Sequence, residues 1–379
     1  MNIRNKQIEI LEKCNKYLSE KVSIPSLRKL SVFLHLNSWD SSSLGNSFLK
    51  WKILDHKSSF WFLYNHFKNI FAIRHYAKMV THFDENNPYN EKYKTLLVSW
   101  CKYSDFDEQG LYHDRYFNID ASEYSNVLWL LISMDNKVPS SFQSNVRIYC
   151  KDKTIFFARI YVVLNTLVNA LLSFKGDWHF FMEEISAEKF FAEKIRKVVK
   201  DLNAKFFFHS VIQAYEAQPY QNLINIELKN SFNNVKTIGY LHSVLPPLPT
   251  DLIYREGSPD ILYVHGKGQL DIMQRLLNWP AITLRFTPSL RFKKNNLGTF
   301  TGRIFLPYSF SEREIILSGL ESYFQMNSVN NLPRMVIKGH PVQLRSKKHI
   351  LLMKDVEIIL EKYHNRFDEN SQRQISIFI

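Results

Sequence analysis

Residues Phe206–Ser243, FFFHSVIQAYEAQPYQNLINIELKNSFNNVKTIGYLHS, decide the fold. A short β-rich apolar run, Lys205–His209, precedes a polar turn carrying Tyr215, Glu216 and Gln218, and a helix-like segment continues to Lys229. A second apolar run, Val235–Tyr240, contains Gly239 and leads into His242 and Ser243. Strand, polar loop, helix, strand, polar loop is the pattern of an α/β sheet, whose ligands sit at the carboxyl ends of the strands. Both polar loops are therefore expected on one edge of the sheet.

Downstream, Leu245–Pro259 carries Pro246, Pro247, Pro249, Gly257 and Pro259, which sustain neither helix nor central strand. The segment is read as a linker at 245–259, separating an amino-terminal lobe, 1–244, from a carboxyl-terminal lobe, 260–379. In that second lobe Ile261–His265 is expected as a strand, Gly268–Leu277 as a helix and Ala281–Leu284 as a strand. Arg303–Leu306 (strand), Glu312–Gln325 (helix) and Met335–Lys338 (strand, ending in Gly339, His340 and Pro341) continue the alternation. Lys347–Leu352 reads as helix or loop and Val356–Leu360 as a last apolar run. The fold class is thus α/β with two Rossmann-like lobes, the second of them short.

Upstream the chain is helix-rich. Ile8, Leu11, Cys14 and Leu18 fall at helical spacing in Asn5–Glu20. Leu30–Leu54 reads as strand, loop and helix, its loop (SWDSSSLGNS) holding Asp40, and a Ser/Asp run serves either as helix cap and turn or as a catalytic loop. Phe60–Phe83 is aromatic, and its His66, His75 and His82 lack the spacing of a metal-binding helix. Asp105–Asp120 reads as a surface connection or lid, Val127–Ile132 as a buried strand or helical turn, and Lys153–Asp201 as two helices. Within these, Ile155–Phe174 is the most apolar run. Arg159, Asn165, Thr166 and Asn169 interrupt it, which favours a buried core helix over a membrane span.

Composition bounds the function. The 379 residues suffice for two domains, and 45% hydrophobic with 15% aromatic content excludes disordered and low-complexity classes. Three widely spaced cysteines suggest neither a disulfide framework nor a zinc site, and the charged amino terminus is unlike a secretory signal, so a cytoplasmic location is expected. A net charge of +13 calls for an anionic partner: nucleotide phosphates, nucleic acid, or the anionic inner leaflet of a membrane approached peripherally. The excess is dispersed in short clusters with no nucleic-acid motif, so nucleic acid is the weakest of the three.

Four pieces, YEAQPY (Tyr215–Tyr220), TIGYLHS (Thr237–Ser243), PDILYVHG (Pro259–Gly266) and IKGHP (Ile337–Pro341), follow one another in an order and spacing that resembles a family of bacterial surface-carbohydrate biosynthesis proteins of the O-antigen and capsule type. That family is related to transferases using CMP-activated acidic sugars. The resemblance covers roughly 205–341. The chain departs from the pattern at Pro219, Tyr220, Gln221 and Asn222, where the family has a bulkier aromatic and Glu-Arg, and at Leu241, where Gln is common.

The resemblance implies a glycosyltransferase B-type fold, a nucleotide-sugar donor, a glycan or lipid-linked glycan acceptor, and no metal or other cofactor. Such a transferase must stabilise a departing nucleotide phosphate and deprotonate an acceptor hydroxyl. Lys338 and His340, with Pro341, stand at a strand's carboxyl end where they could donate to phosphate; Gly239, His242 and Ser243 are expected on the donor side, and Arg285 and Arg291 could clamp an acidic donor. Glu216 is either the first candidate base or an anchor that holds the linker through hydrogen bonds, Asp40 is the second candidate base, and Tyr215 and Gln218 position the substrate. Two alternatives stand beside this reading: a CDP-alditol-type phosphotransferase, and a non-catalytic remnant or accessory protein, for which the early end of the chain speaks.

Overall fold

The computed structural model describes residues 79–82, 93–151, 156–172, 187–232, 234–243, 250–290, 302–306, 313–326, 332–333, 335–339, 346–363, 367–368 and 376–378. The chain divides into two compact units, Met1–Lys293 and Lys294–Ile379. In chain order the first contains β1 (Met79–His82), β2 (Thr95–Cys101), β3 (His113–Asp114), β4 (Ile119–Asp120), β5 (Val127–Ser133), β6 (Val146–Lys151), α1 (Phe156–Leu172), α2 (Ala187–Phe206), β7 (Ser210–Ala214), α3 (Pro219–Ser231), β8 (Lys236–Tyr240), β9 (Ile261–Val264), α4 (Lys267–Leu276) and β10 (Leu284–Phe286). The expected helix at Asn5–Glu20, the elements of Leu30–Leu54 and nearly all of Phe60–Phe83 lie outside the described residues.

Eight strands form one sheet in the order β1-β6-β5-β2-β7-β8-β9-β10, parallel throughout except for β1, which runs antiparallel to β6. Four of these strands precede α1, so the half of the chain that reads as helix-rich supplies half of the sheet. The central strands are near-continuous apolar runs, TLLVSWC in β2 and VLWLLIS in β5, with Leu96, Val98 and Leu128–Leu131 shut away from solvent. Such runs belong to parallel sheets covered on both faces. Each large side chain buried here contributes roughly 1.5–3 kcal/mol.

The apolar run Lys205–His209 closes α2 instead of forming a strand. Phe207 takes a left-handed φ of 54°, its N–H donates to the Asn203 carbonyl (2.8 Å), and the Asn203 side chain accepts from Phe208 N–H (3.1 Å). This is a helix C-cap made by a non-glycine residue. Phe206 and Phe208 turn into the core, and pairing begins only at Ser210.

The domain boundary at 245–259 is not where the structure divides. β8 and β9 pair directly across that segment (Ile238↔Ile261), and the units part at Lys293/Lys294. Its described part, 250–259, packs onto the first unit: Leu252 and Ile253 are buried, Asn225 Nδ2 donates to the Gly257 carbonyl (2.9 Å) and Lys229 Nζ to the Ser258 carbonyl (2.6 Å). Proline breaks the secondary structure there, yet burial and side-chain bonds to the Gly257 and Ser258 carbonyls fix the segment within the first unit.

Asp105–Asp120 is likewise no lid. It forms the β3–β4 hairpin, anchored by buried Tyr112, Asp114 and Phe117; the Asp114 carboxylate accepts from Tyr116 N–H (2.7 Å), Phe117 N–H (2.8 Å) and the Tyr112 hydroxyl (2.7 Å).

The second unit contains β11 (Gly302–Phe305), α5 (Arg313–Met326), β12 (Leu332–Pro333), β13 (Met335–Lys338), α6 (Lys347–Lys362), β14 (Phe367–Asp368) and β15 (Ser376–Phe378). Its parallel sheet has the order β13-β11-β15, and a core of Ile304, Leu306, Leu320, Phe324, Leu352 and Val356 lies between sheet and helices. Val356–Leu360 belongs to α6, because His349, Leu352, Val356 and Ile359 recur at helical spacing on the buried face.

Candidate functional site

Sheet topology chooses the edge. From β2 the chain passes to β5 and β6 on one side; α1 and α2 then return it to β7 on the other side of β2. Such a reversal opens a crevice at the carboxyl ends of the two central strands, where α/β sheets bind ligands. Trp100, near the end of β2, and Glu216, two residues past β7, stand at this edge.

The parallel register brings Glu216 a partner. Ala214 pairs with Tyr240, so Glu216 and His242 each lie two residues beyond the last matched pair of β7 and β8. His242 Nε2 is 3.0 Å from Glu216 Oε1, with the histidine side chain 4% exposed and the glutamate 34%. A hydrogen bond to a carboxylate requires the proton on Nε2. His242 Nδ1 is buried and has no hydrogen-bond partner among the described residues. Tyr116, at the tip of the β3–β4 hairpin, packs edge-on against the imidazole at 4.5 Å, and Trp100 at 5.9 Å. An aromatic wall excludes water on the imidazole side and leaves the carboxylate as the solvent-facing member.

The loop carrying Glu216 is fixed from below by two fully buried amides. Gln221 Oε1 accepts from Glu216 N–H (2.9 Å) and Gln218 N–H (3.0 Å), while its Nε2 donates to the Ala214 carbonyl (2.6 Å). Asn222 Nδ2 donates to the Ala217 carbonyl (2.9 Å), and its Oδ1 accepts from the Tyr215 hydroxyl (2.8 Å). Ala217, between these clamps, takes a left-handed φ of 54°. A non-glycine residue holds that conformation only where its surroundings enforce it. Pro219 opens α3 immediately afterwards, a first-turn position where its missing N–H costs nothing. The positions at which the sequence departs from the resembled family therefore build the loop.

Of the expected site residues, Gln218 reaches the pair, its Nε2 lying 3.4 Å from Glu216 Oε2. Ser243 follows His242, and its carbonyl is 3.5 Å from Gln269 Nε2 on α4, whose Oε1 accepts from His265 N–H (3.1 Å). Tyr215, expected to position the substrate, has its ring buried and its hydroxyl bonded to Asn222. Burial above all pushes that phenol's pKa up. At Gly239 a Cβ would meet Leu262 Cδ1 at 2.9 Å and Tyr215 Cβ at 3.0 Å, so its missing side chain admits core neighbours.

Arg285, exposed on the outermost strand β10, donates to the carbonyls of Ile282 and Leu284 (both 2.8 Å), three strands from β7. Lys338 is exposed at the carboxyl end of β13 in the second unit. Asp40, Arg291, His340 and Pro341 lie outside the described residues.

Trp100, Tyr116 and Tyr220 were not legible as site residues. Tyr220 packs against Trp100 (6.2 Å) and Phe191 of α2 (5.8 Å), and burial, then the charge of Glu216, raises its phenol pKa. His265 closes the group on the β9 side, its Nδ1 3.0 Å from the Leu241 carbonyl; burial and then the neighbouring His242 lower its pKa.

No protein-family model and no curated protein matches the sequence. Among solved structures, the chain is similar to the α,α-trehalose 6-phosphate synthase of Burkholderia multivorans (9% identity, TM-score 0.36, covering 76% of this chain and 72% of that one). It is similar also to the UDP-forming α,α-trehalose-phosphate synthase of Burkholderia vietnamiensis (8%, 0.36, 75% and 73%) and to the trehalose-6-phosphate protein of E. coli bound with UDP-2-fluoro glucose (9%, 0.32, 75% and 73%). Likenesses this distant leave the function of the chain to be argued from its own residues.

Proposed function

We propose that the chain is a glycosyltransferase of bacterial surface-polysaccharide biosynthesis, and that Glu216 is the base receiving the acceptor's proton. The observation that carries this reading is the Glu216–His242 pair at the switch-point edge of the parallel sheet. A carboxylate that is one-third exposed can meet an acceptor hydroxyl, while the buried imidazole behind it holds Oε1 and Gln218 reaches Oε2. In the reaction the acceptor oxygen bonds to the anomeric carbon of the donor sugar and its proton passes to Glu216. The bond from anomeric carbon to phosphate oxygen breaks, and the nucleotide leaves with that electron pair. On the motif resemblance, a cytidine nucleotide is the proposed carrier.

Two measurements test the proposal. Calorimetry with CMP, CDP and UDP should show the cytidine nucleotides binding most tightly, and Glu216→Gln should retain that binding. Release of nucleotide from a CMP-sugar panel in the presence of glycan acceptors should fall about 10²–10⁴-fold in Glu216→Gln. No binding of any nucleotide, or undiminished turnover in the variant, would overturn it.

A further inference from the structure

Helix α1 was expected in the core, and it is bare along one side. Ile160, Tyr161, Leu164, Val168, Leu171 and Leu172 are between 43% and 80% exposed. At 100° per residue these six fall within an arc of about 120° running the length of the helix. The stripe contains no charged residue, and Asn165 and Asn169 border it. Val162, Val163 and Leu167, on the remaining arc, are half-buried. An apolar stripe of this length marks an interaction surface.

We infer that α1 seats the protein on an anionic bilayer surface, its bare stripe lying in the headgroup region parallel to the membrane plane. Charge supports that occupant. The chain carries a net +13, and the sequence from 151 to 159 counts Lys151, Lys153 and Arg159 against a single acid, Asp152. Amphipathic helices bind bilayers by this combination of apolar face and cationic surroundings. Among the described residues no helix is long and apolar enough to cross a membrane, so α1 lies on the bilayer and does not span it. A second copy fits less well. A helix of this length presents a face about 25 Å long and 10 Å wide, roughly 250 Å², against the roughly 800 Å² per partner of a stable interface.

The strand that precedes α1 in the chain, β6, lies three strands from β7, so the carboxyl end of β6 shares the sheet edge of Glu216, about 14 Å along the sheet. That a lipid-linked acceptor is thereby presented to Glu216 rests on the proposed transferase reading; binding of α1 to lipid does not.

The test is flotation of the full chain with vesicles of phosphatidylcholine alone and of phosphatidylcholine with one-third phosphatidylglycerol. Wild type should float with the anionic vesicles, and the triple variant Leu164→Gln, Val168→Gln, Leu171→Gln should lose about tenfold or more in partitioning with Tm unchanged. Glu216→Gln should float as wild type does, which separates this inference from the chemistry at Glu216. Wild type left in the soluble fraction, or equal flotation of the triple variant, would overturn the inference. So would a lipid-free dimer that the triple variant turns into a monomer, which would make the stripe a self-interface.

Discussion

His242 Nε2 lies 3.0 Å from Glu216 Oε1 because β7 and β8 run parallel in a register that matches Ala214 with Tyr240, and each side chain follows its strand by two residues. The two differ in exposure, and that difference assigns them unequal work. Glu216→Gln removes the proton acceptor, with the large loss of turnover given above. His242→Gln keeps a donor toward Glu216 but removes the imidazole, so kcat should fall by a smaller factor, about 10–100-fold, with nucleotide affinity unchanged. If His242 instead meets donor phosphate, its variants will weaken nucleotide binding in calorimetry and spare kcat.

Gln221 is the residue on which the Glu216 loop depends. Gln221→Leu keeps most of the volume but leaves the N–H groups of Glu216 and Gln218 and the carbonyl of Ala214 without their bonds. Stranding buried backbone groups should cost about 2–4 kcal/mol, visible in chemical denaturation. Turnover by the folded fraction should fall as well, because Glu216 loses its fixed aim at the crevice. Wild-type stability in Gln221→Leu would show that water or another side chain takes over.

How much of this the sequence discloses depends on how local each signal is. α3 and β8 are legible as a helix-like segment reaching Lys229 and the apolar run Val235–Tyr240, whereas the strand expected at Lys205–His209 is displaced to β7 at Ser210–Ala214. The limit of α2 is not, since Phe206–Phe208 has strand-like composition while a left-handed Phe207 ends a helix there. The proline-rich segment reads as a domain boundary because proline reports broken secondary structure and is silent on pairing, and β8–β9 pairing closes the sheet across it. Glu216 and His242 are each visible as polar residues after strands, but their contact follows from a register between strands 26 positions apart. Trp100 and Tyr116 join them through strand order alone.

Gly239 separates a packing role from a ligand role. Gly239→Ala places a methyl within 3.0 Å of Leu262 Cδ1 and Tyr215 Cβ. The leucine tip can rotate away, whereas the tyrosine Cβ is held by the bond from Tyr215 N–H to the Tyr240 carbonyl (2.8 Å), so a loss of about 1–3 kcal/mol is expected. Nucleotide affinity of the folded protein should not change. Weakened nucleotide binding at unaltered Tm would return Gly239 to the donor site.

Asp260 ties three elements of the first unit together and makes its stability depend on acid. One carboxylate oxygen accepts from Thr237 N–H and the Thr237 hydroxyl (both 2.8 Å), and the other lies 3.2 Å from Lys229 Nζ, so the starts of β8 and β9 are clipped to the end of α3. Burial alone would raise the carboxyl pKa; the Thr237 bonds and the Lys229 charge outweigh it and hold the pKa below the usual aspartate value. The unfolded chain therefore binds this proton more readily than the folded one, and stability must fall as the proton goes on. The contribution is fully present above the unfolded value of about 3.9 and is lost as pH falls through the lower folded value. Glu227, held low by Lys200, Ser231 and Arg196 against the opposing effect of burial, adds in the same direction. Asp260→Asn should thus lower Tm at pH 7, and the gap from wild type should narrow steadily below pH 4, because wild type then loses what the variant already lacks. A gap that stays constant from pH 7 down to the acid transition would mean that Asp260 acts through its shape and neutral hydrogen bonds, and that its charge contributes nothing to the clip.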